Sequence, residues 1–253
     1  MRHFFTILSH EIRSLLFSGS TYIAAVLFLN VMAFIFAQIL EDYTKTPQEN
    51  PPAAIFFRLF WLPVWFMVPL LTMRSIAEER RMGTLETLLT TPASTAEIVL
   101  GKFGASYLLY VFMWGTTMGF HYLLHYYARD PRVLDPAPLI GGYSFIAVSG
   151  LLYVAVGIFA SSLTRSQAVA GIFSCVLLIV LTIGPSFLSS YSVLNDESFK
   201  GVKMAVDSLL VSQHLEDFTH GVIDTRQIIF YVSGSALALI FSVLGVEAKL
   251  LQG

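Results

Sequence analysis

The chain has 253 residues, of which 55% are hydrophobic and 13% charged, with a net charge of -2 and a mean hydropathy of +0.70. Soluble domains carry about 25% charged residues, so an ordinary soluble fold is excluded; with no basic run longer than Arg80-Arg81, so is nucleic-acid binding. The single cysteine, Cys175, rules out an internal disulfide and a cysteine-based zinc site.

Apolar stretches run nearly end to end, so residues 1–253 are read as one transmembrane domain. The first element expected is an amphipathic helix lying in the membrane interface. Phe5, Leu8, Ile12 and Leu15 share one face while Thr6, His10, Arg13 and Ser14 fall elsewhere, before a Ser18-Gly19-Ser20 break. His10-Glu11-Ile12-Arg13 interrupts any leader-like apolar run, and no cleaved leader is expected.

A spanning helix needs roughly 20 mainly apolar residues. Six stretches qualify: Thr21 to Leu40, Ile55 to Met73, Phe103 to Leu124, Leu139 to Leu163, Ala168 to Leu188 and Ile228 to Val246. The fold class predicted is therefore all-α and polytopic, with six transmembrane helices. Arg58 is the one charged side chain within these limits, close enough to a span end to reach back to the interface. Pro63, Pro69 and Pro185 each remove a backbone hydrogen bond inside a span. In the last span Gly234, Ala238 and Ser242 recur every fourth residue and form a ridge of small side chains expected to face protein.

Placing both termini in the cytoplasm puts Arg2, Arg13, Arg74, Arg80, Arg81, Lys102, Arg165 and Lys249 inside, in shorter segments with a higher density of positive charge. Trp61, Trp65, Tyr122, Tyr126 and Tyr127 mark span boundaries. The longest polar region runs from Ser189 to Arg226; within it Phe199, Val202, Val206, Leu209 and Leu210 repeat at helical spacing and predict a surface helix.

The segment joining spans two and three is too long and too charged for a turn. Ile76 to Arg81 can form a short charged helix that Gly83 stops or bends. Thr84 can cap a second helix carrying Leu85, Leu88 and Leu89, ended by Pro92; Ser94 or Thr95 can cap the helix that enters span three.

Catalytic patterns fail on inspection. Gly101-Lys102 is followed by Phe103 and lacks the partner glycine at Ala96, so no P-loop forms. His10-Glu11 has Ser14 where a zinc protease needs its second histidine. His121 and His125 lie one turn apart and would share a metal only with His214 or His220; interfacial imidazoles are the reading taken, because no carboxylate at ligand spacing joins them. Gly142-Tyr143-Ser144 has the form of an intramembrane serine nucleophile, and close helix packing is the simpler explanation.

Glu78-Glu79-Arg80, Gly83-Thr84-Leu85-Glu86, Leu88-Leu89, Thr91-Pro92 and Gly101-Lys102, in this order between spans two and three, closely resemble the cytoplasmic loop of the ABC-2 type permease family. Phe218 to Arg226 looks like the matching stretch of its gliding-motility and copper-maturation permeases, with His220 where a basic residue is expected. The resemblance implies a non-enzymatic membrane subunit of an ATP-driven transporter in a bacterial inner membrane. It pairs with a second copy or a sister permease above cytosolic ABC ATPase subunits, which bind the ATP and Mg; this chain itself needs no cofactor. Glu78, Glu79, Arg80, Arg81, Gly83, Thr84 and Glu86 would then form the coupling helix that contacts the ATPase, with the N-terminal helix as a second contact. Under that resemblance the chain exports, extracts or flips a substrate; in the alternative it relays ATPase motion to an extracytoplasmic partner without moving cargo.

Overall fold

The computed structural model describes residues 2–45, 51–84, 94–127, 135–191 and 200–250. Among these every regular element is helical: α1 Arg2–Leu16, α2 Gly19–Lys45, α3 Pro52–Arg58, α4 Trp61–Thr72, α5 Ala77–Met82, α6 Thr95–Thr116, α7 Met118–Tyr127, α8 Pro136–Leu163, α9 Gln167–Ser189, α10 Lys200–Asp207, α11 Val211–Thr219 and α12 Thr225–Leu250. Five helices are individually long and apolar enough to cross a membrane, and α3 with α4 makes a sixth span bent by 51°. Each coincides with one of the six apolar stretches.

The bend in the second span has a local cause. Pro63 has no N–H to give to the carbonyl of Leu59, one turn earlier, and its ring crowds that carbonyl. The helix therefore stops at Arg58 and restarts at Trp61. At Pro69 and Pro185 the helices run on uninterrupted.

α8 is the central post, with 67% of its most apolar stretch buried. Against it lies the ridge of small residues on α12: Ala238 and Ser242 are buried, and Gly234 faces Leu152 of α8. Around α8 an aromatic core of Phe57, Phe60, Phe145, Tyr153, Phe218 and Tyr231 joins α3, the break between α3 and α4, α11 and α12 through edge and stacked contacts. The outward faces of α2, α9 and α12 carry exposed Ile23, Val26, Phe34, Ile172, Val180, Phe187, Ile229 and Ile240, as a lipid-facing surface requires.

The long polar segment differs from its prediction. The expected single surface helix ends at Asp207, so Leu209 and Leu210 fall in a turn, and Phe199 lies outside the described residues. A second helix, α11, then packs inward through Val211, Leu215 and Phe218. At its crossing with α8, Gly141 is in contact with the backbone of Phe218. Only tertiary burial distinguishes this stretch, because three apolar residues in nine leave a weak sequence signal.

Candidate functional site

The site is built around α5, the short charged helix after the second span. Its start is capped from another helix: Ser161 Oγ of α8 accepts hydrogen bonds from the backbone N–H of Ile76 and of Ala77, both at 3.1 Å. The same hydroxyl faces Met73 O at 3.3 Å. Helix starts leave four N–H groups without internal partners, so a side chain 84 or 85 residues away supplies what local sequence does not. Ser161→Ala is expected to lower stability by about 1–2 kcal/mol, read as faster hydrogen exchange at Ile76 and Ala77; unchanged exchange would refute the cap.

The first three charged residues of α5, Glu78, Glu79 and Arg80, are then engaged by the surrounding structure. Arg74 grips Glu78 in a two-pronged pair, 2.7 Å and 3.0 Å, and donates from its third nitrogen to Ser18 Oγ at 2.7 Å. That guanidinium holds the Glu78 carboxyl below the usual carboxylate range. Glu79 Oε1 accepts from Lys102 Nζ at 2.7 Å; burial pushes the Glu79 carboxyl above the usual range, with the ammonium acting against that rise. Arg80 donates to the carbonyl of Gly245 near the end of α12, at 2.8 Å. Thus α5 is bolted to the α1–α2 linker, α6, α8 and α12.

Past Arg80 the direction reverses. The Arg81 side chain is 59% exposed and Met82 is 58% exposed. Gly83 closes the helix at φ 71°, with its N–H on Glu79 O. That left-handed conformation costs other residues roughly 1–2 kcal/mol; exposed Thr84 follows it, its hydroxyl donating to Glu79 O at 3.4 Å. Glu86, and the predicted helix carrying Leu85, Leu88 and Leu89, lie outside the described residues. Ser94 caps α6 reciprocally with Glu97, each side chain meeting the other's backbone N–H at 3.2 Å.

The N-terminal helix is where the sequence-predicted face is only partly used inward. Leu8, Ile12 and Leu15 are half-buried, whereas Phe5 is 64% exposed. α1 lies along the start of α6: a side chain at Gly101 would come within 2.7 Å of Ile7 Cγ2, and one at Gly104 within 3.1 Å of Leu8 Cδ1. Glu11 reaches Lys102 Nζ at 2.6 Å.

Ser161, Lys102 and Glu11 escaped the sequence reading as site residues. Ser161 left no signal. Glu11 did: it sits three residues after Leu8 and four before Leu15, a carboxylate on the apolar stripe that calls for a buried cation.

The discarded candidates are scattered. His121 is enclosed by Phe36, Phe56, Phe57 and Tyr143, while His125 is exposed. His214 faces Tyr231 OH and the Ser208 carbonyl, both at 3.1 Å; His220 is exposed. Burial pushes the His214 imidazole below its ordinary value. Gly142 seats the ring of Phe57, which an added Cβ would overlap, and Tyr143 OH is 2.9 Å from Thr117 Oγ1. Among the described residues no three His, Cys, Asp or Glu side chains gather as a metal site.

At the opposite end of the bundle, between the broken second span, α8, α9 and α11, lies a cavity of about 660 Å³. Phe60, Trp61, Ile183 and Leu215 supply apolar wall, and Arg58 and Glu216, paired at 3.2 Å, stand at its edge.

No curated protein gives a significant match to the chain. The family described as ABC-2 family transporter protein matches residues 5–220, from α1 through α11, and the chain accordingly belongs to this family as a multi-pass membrane permease subunit of an ABC transporter.

Proposed function

We propose that the chain moves a substrate across a bacterial inner membrane, using ATP hydrolysed by a separate cytosolic ABC ATPase that docks on the corner of α5. In this reading residues 1–253 act as one transmembrane domain, both termini are cytoplasmic, and α1 lies in the membrane interface. The domain pairs with a second copy or a sister permease. ATP and Mg are bound by the partner ATPase.

The observation that carries the reading is the division of labour within α5. Glu78, Glu79 and Arg80 are engaged with the bundle, so a push on α5 is felt at α6, α8, α12 and the α1–α2 linker. Arg81, Met82, Gly83 and Thr84 remain outside, and they supply the contact. A motor can shift the spans only if its two states bind this corner with different free energies.

Met82→Asp with Arg81→Glu removes the 4.0 Å pair between Arg81 and Glu78 and leaves the bonds from α5 to Lys102, Ser161 and Gly245 in place. We expect the pair to insert normally and to lose about tenfold in ATPase retained on co-purification in mild detergent, the equivalent of ~1.4 kcal/mol. Stoichiometric retention of an active ATPase would refute the docking role. Glu79→Lys is the poorer test, because it also breaks the bond to Lys102.

The cavity beside the broken span supports transport. The alternative, relay of ATPase motion to an extracytoplasmic partner without cargo, is favoured by exposed apolar Val202, Met204, Val222 and Ile223 around α10 and α11.

A further inference from the structure

Lys102 is 2% exposed, although it lies in a helix apolar enough to cross a membrane. A buried ammonium persists only where anions meet it, because its desolvation cost is otherwise uncompensated. Two anions do so here, Glu11 Oε1 at 2.6 Å and Glu79 Oε1 at 2.7 Å. They come from separate elements, 91 and 23 residues away in sequence. One side chain of α6 therefore holds both α1 and α5.

Two kinds of contact join α1 to α6. Ile7 and Leu8 rest against Gly101 and Gly104, an apolar seat. Such contacts are non-directional, so they would tolerate α1 sliding along the seat. The bond from Glu11 to Lys102 is directional and charge-assisted, and a slide would strand both charges away from water. The seat supplies adhesion and the ion pair supplies register. Glu79 depends on the same ammonium, for its other oxygen, Oε2, is buried with no partner.

We infer that Lys102 is a positioning residue that locks α1, α5 and the first turns of α6 into one rigid unit. A displacement received at the corner of α5 then carries α1 and the third span with it. The transfer step rests on the proposed docking of an ATPase at α5; the rigid joint stands on the permease alone.

The test uses spin labels at Ser9→Cys on α1 and Leu108→Cys on α6, both exposed positions, in a Cys175→Ser background that removes the single native cysteine. Dipolar spectroscopy in lipid nanodiscs is expected to give one narrow distance for the parent. That distance should be unaltered by ATP and vanadate when the ATPase is attached. Lys102→Met should lose the narrow peak, while Gly104→Ala, which crowds the seat but spares the charges, should keep it. If Lys102→Met does not accumulate, Glu11→Gln, which leaves the Glu79 bond intact, decides in its place by the same loss. A parent-like narrow peak in the deciding variant overturns the inference. Absence of any co-purifying ATPase from the parent overturns the docking reading and the transfer step, and leaves the peak to judge the joint.

Discussion

Gly141→Ala is expected to unseat α11 from α8 and lower the midpoint of thermal unfolding by about 5–10 °C. A Cβ at residue 141 would overlap the carbonyl oxygen of Phe218 and lie 2.6 Å from its carbonyl carbon. Backbone atoms cannot rotate aside as a side-chain tip can, so the whole of α11 must move. Overpacking of this kind costs about 1–3 kcal/mol or more. Displacement also draws Phe218 away from Phe145, and His214 away from Tyr231 OH. Gly119→Ala is the control, since a Cβ there meets nothing within 4 Å; Ala in place of a helical Gly should raise stability by about 0.5–1 kcal/mol. Scanning fluorimetry in detergent distinguishes them, and equal midpoints would show that α11 does not rest on Gly141.

The second large effect is expected at Gly157, where α8 meets the end of α4. A side chain there would overlap Thr72 Oγ1 and lie 3.0 Å from Thr72 Cβ. Thr72 is fully buried and its hydroxyl is held by Val68 O at 2.9 Å, so it has little freedom to turn away. One helical turn further along α8 is Ser161, whose hydroxyl caps α5. Gly157→Val should push α4 from α8 and part Ser161 from Ile76 and Ala77, costing roughly 2–4 kcal/mol in overpacking and lost hydrogen bonds. Hydrogen exchange at Ile76 and Ala77 should rise along with the fall in thermal midpoint. Gly171→Ala, which meets Met73 Sδ at an ordinary 3.5 Å, should leave that exchange unchanged and should not lower the midpoint. A Gly157→Val protein with parent-like exchange would separate the span contact from the cap.

The loop that carries the family resemblance was legible for a physical reason. Its charges interrupt an apolar chain, Gly83 stands where a helix must stop, and the Ser94-Glu97 capping pair opens the next span. Which of its charges face a partner was not legible. Side chains at Glu78, Glu79, Arg80 and Arg81 look alike in sequence, yet the first three are engaged by Arg74, Lys102 and Gly245, from 4 to 165 residues distant. In the proposed docking the contact centres, among the described residues, on the exposed corner from Arg81 to Thr84.

By itself the sequence determined that this chain is a polytopic helical membrane protein, where its six spans lie, and where its charged loop falls between them. These follow from length, apolarity and backbone hydrogen bonding within each segment, all of which are local. Only the tertiary structure decided that the second span breaks at Leu59 and Phe60, that α11 folds inward, and that Lys102 joins α1 to α5. Such features depend on which helix supplies the neighbouring surface or the opposite charge, and partners so far apart along the chain leave no periodicity to read.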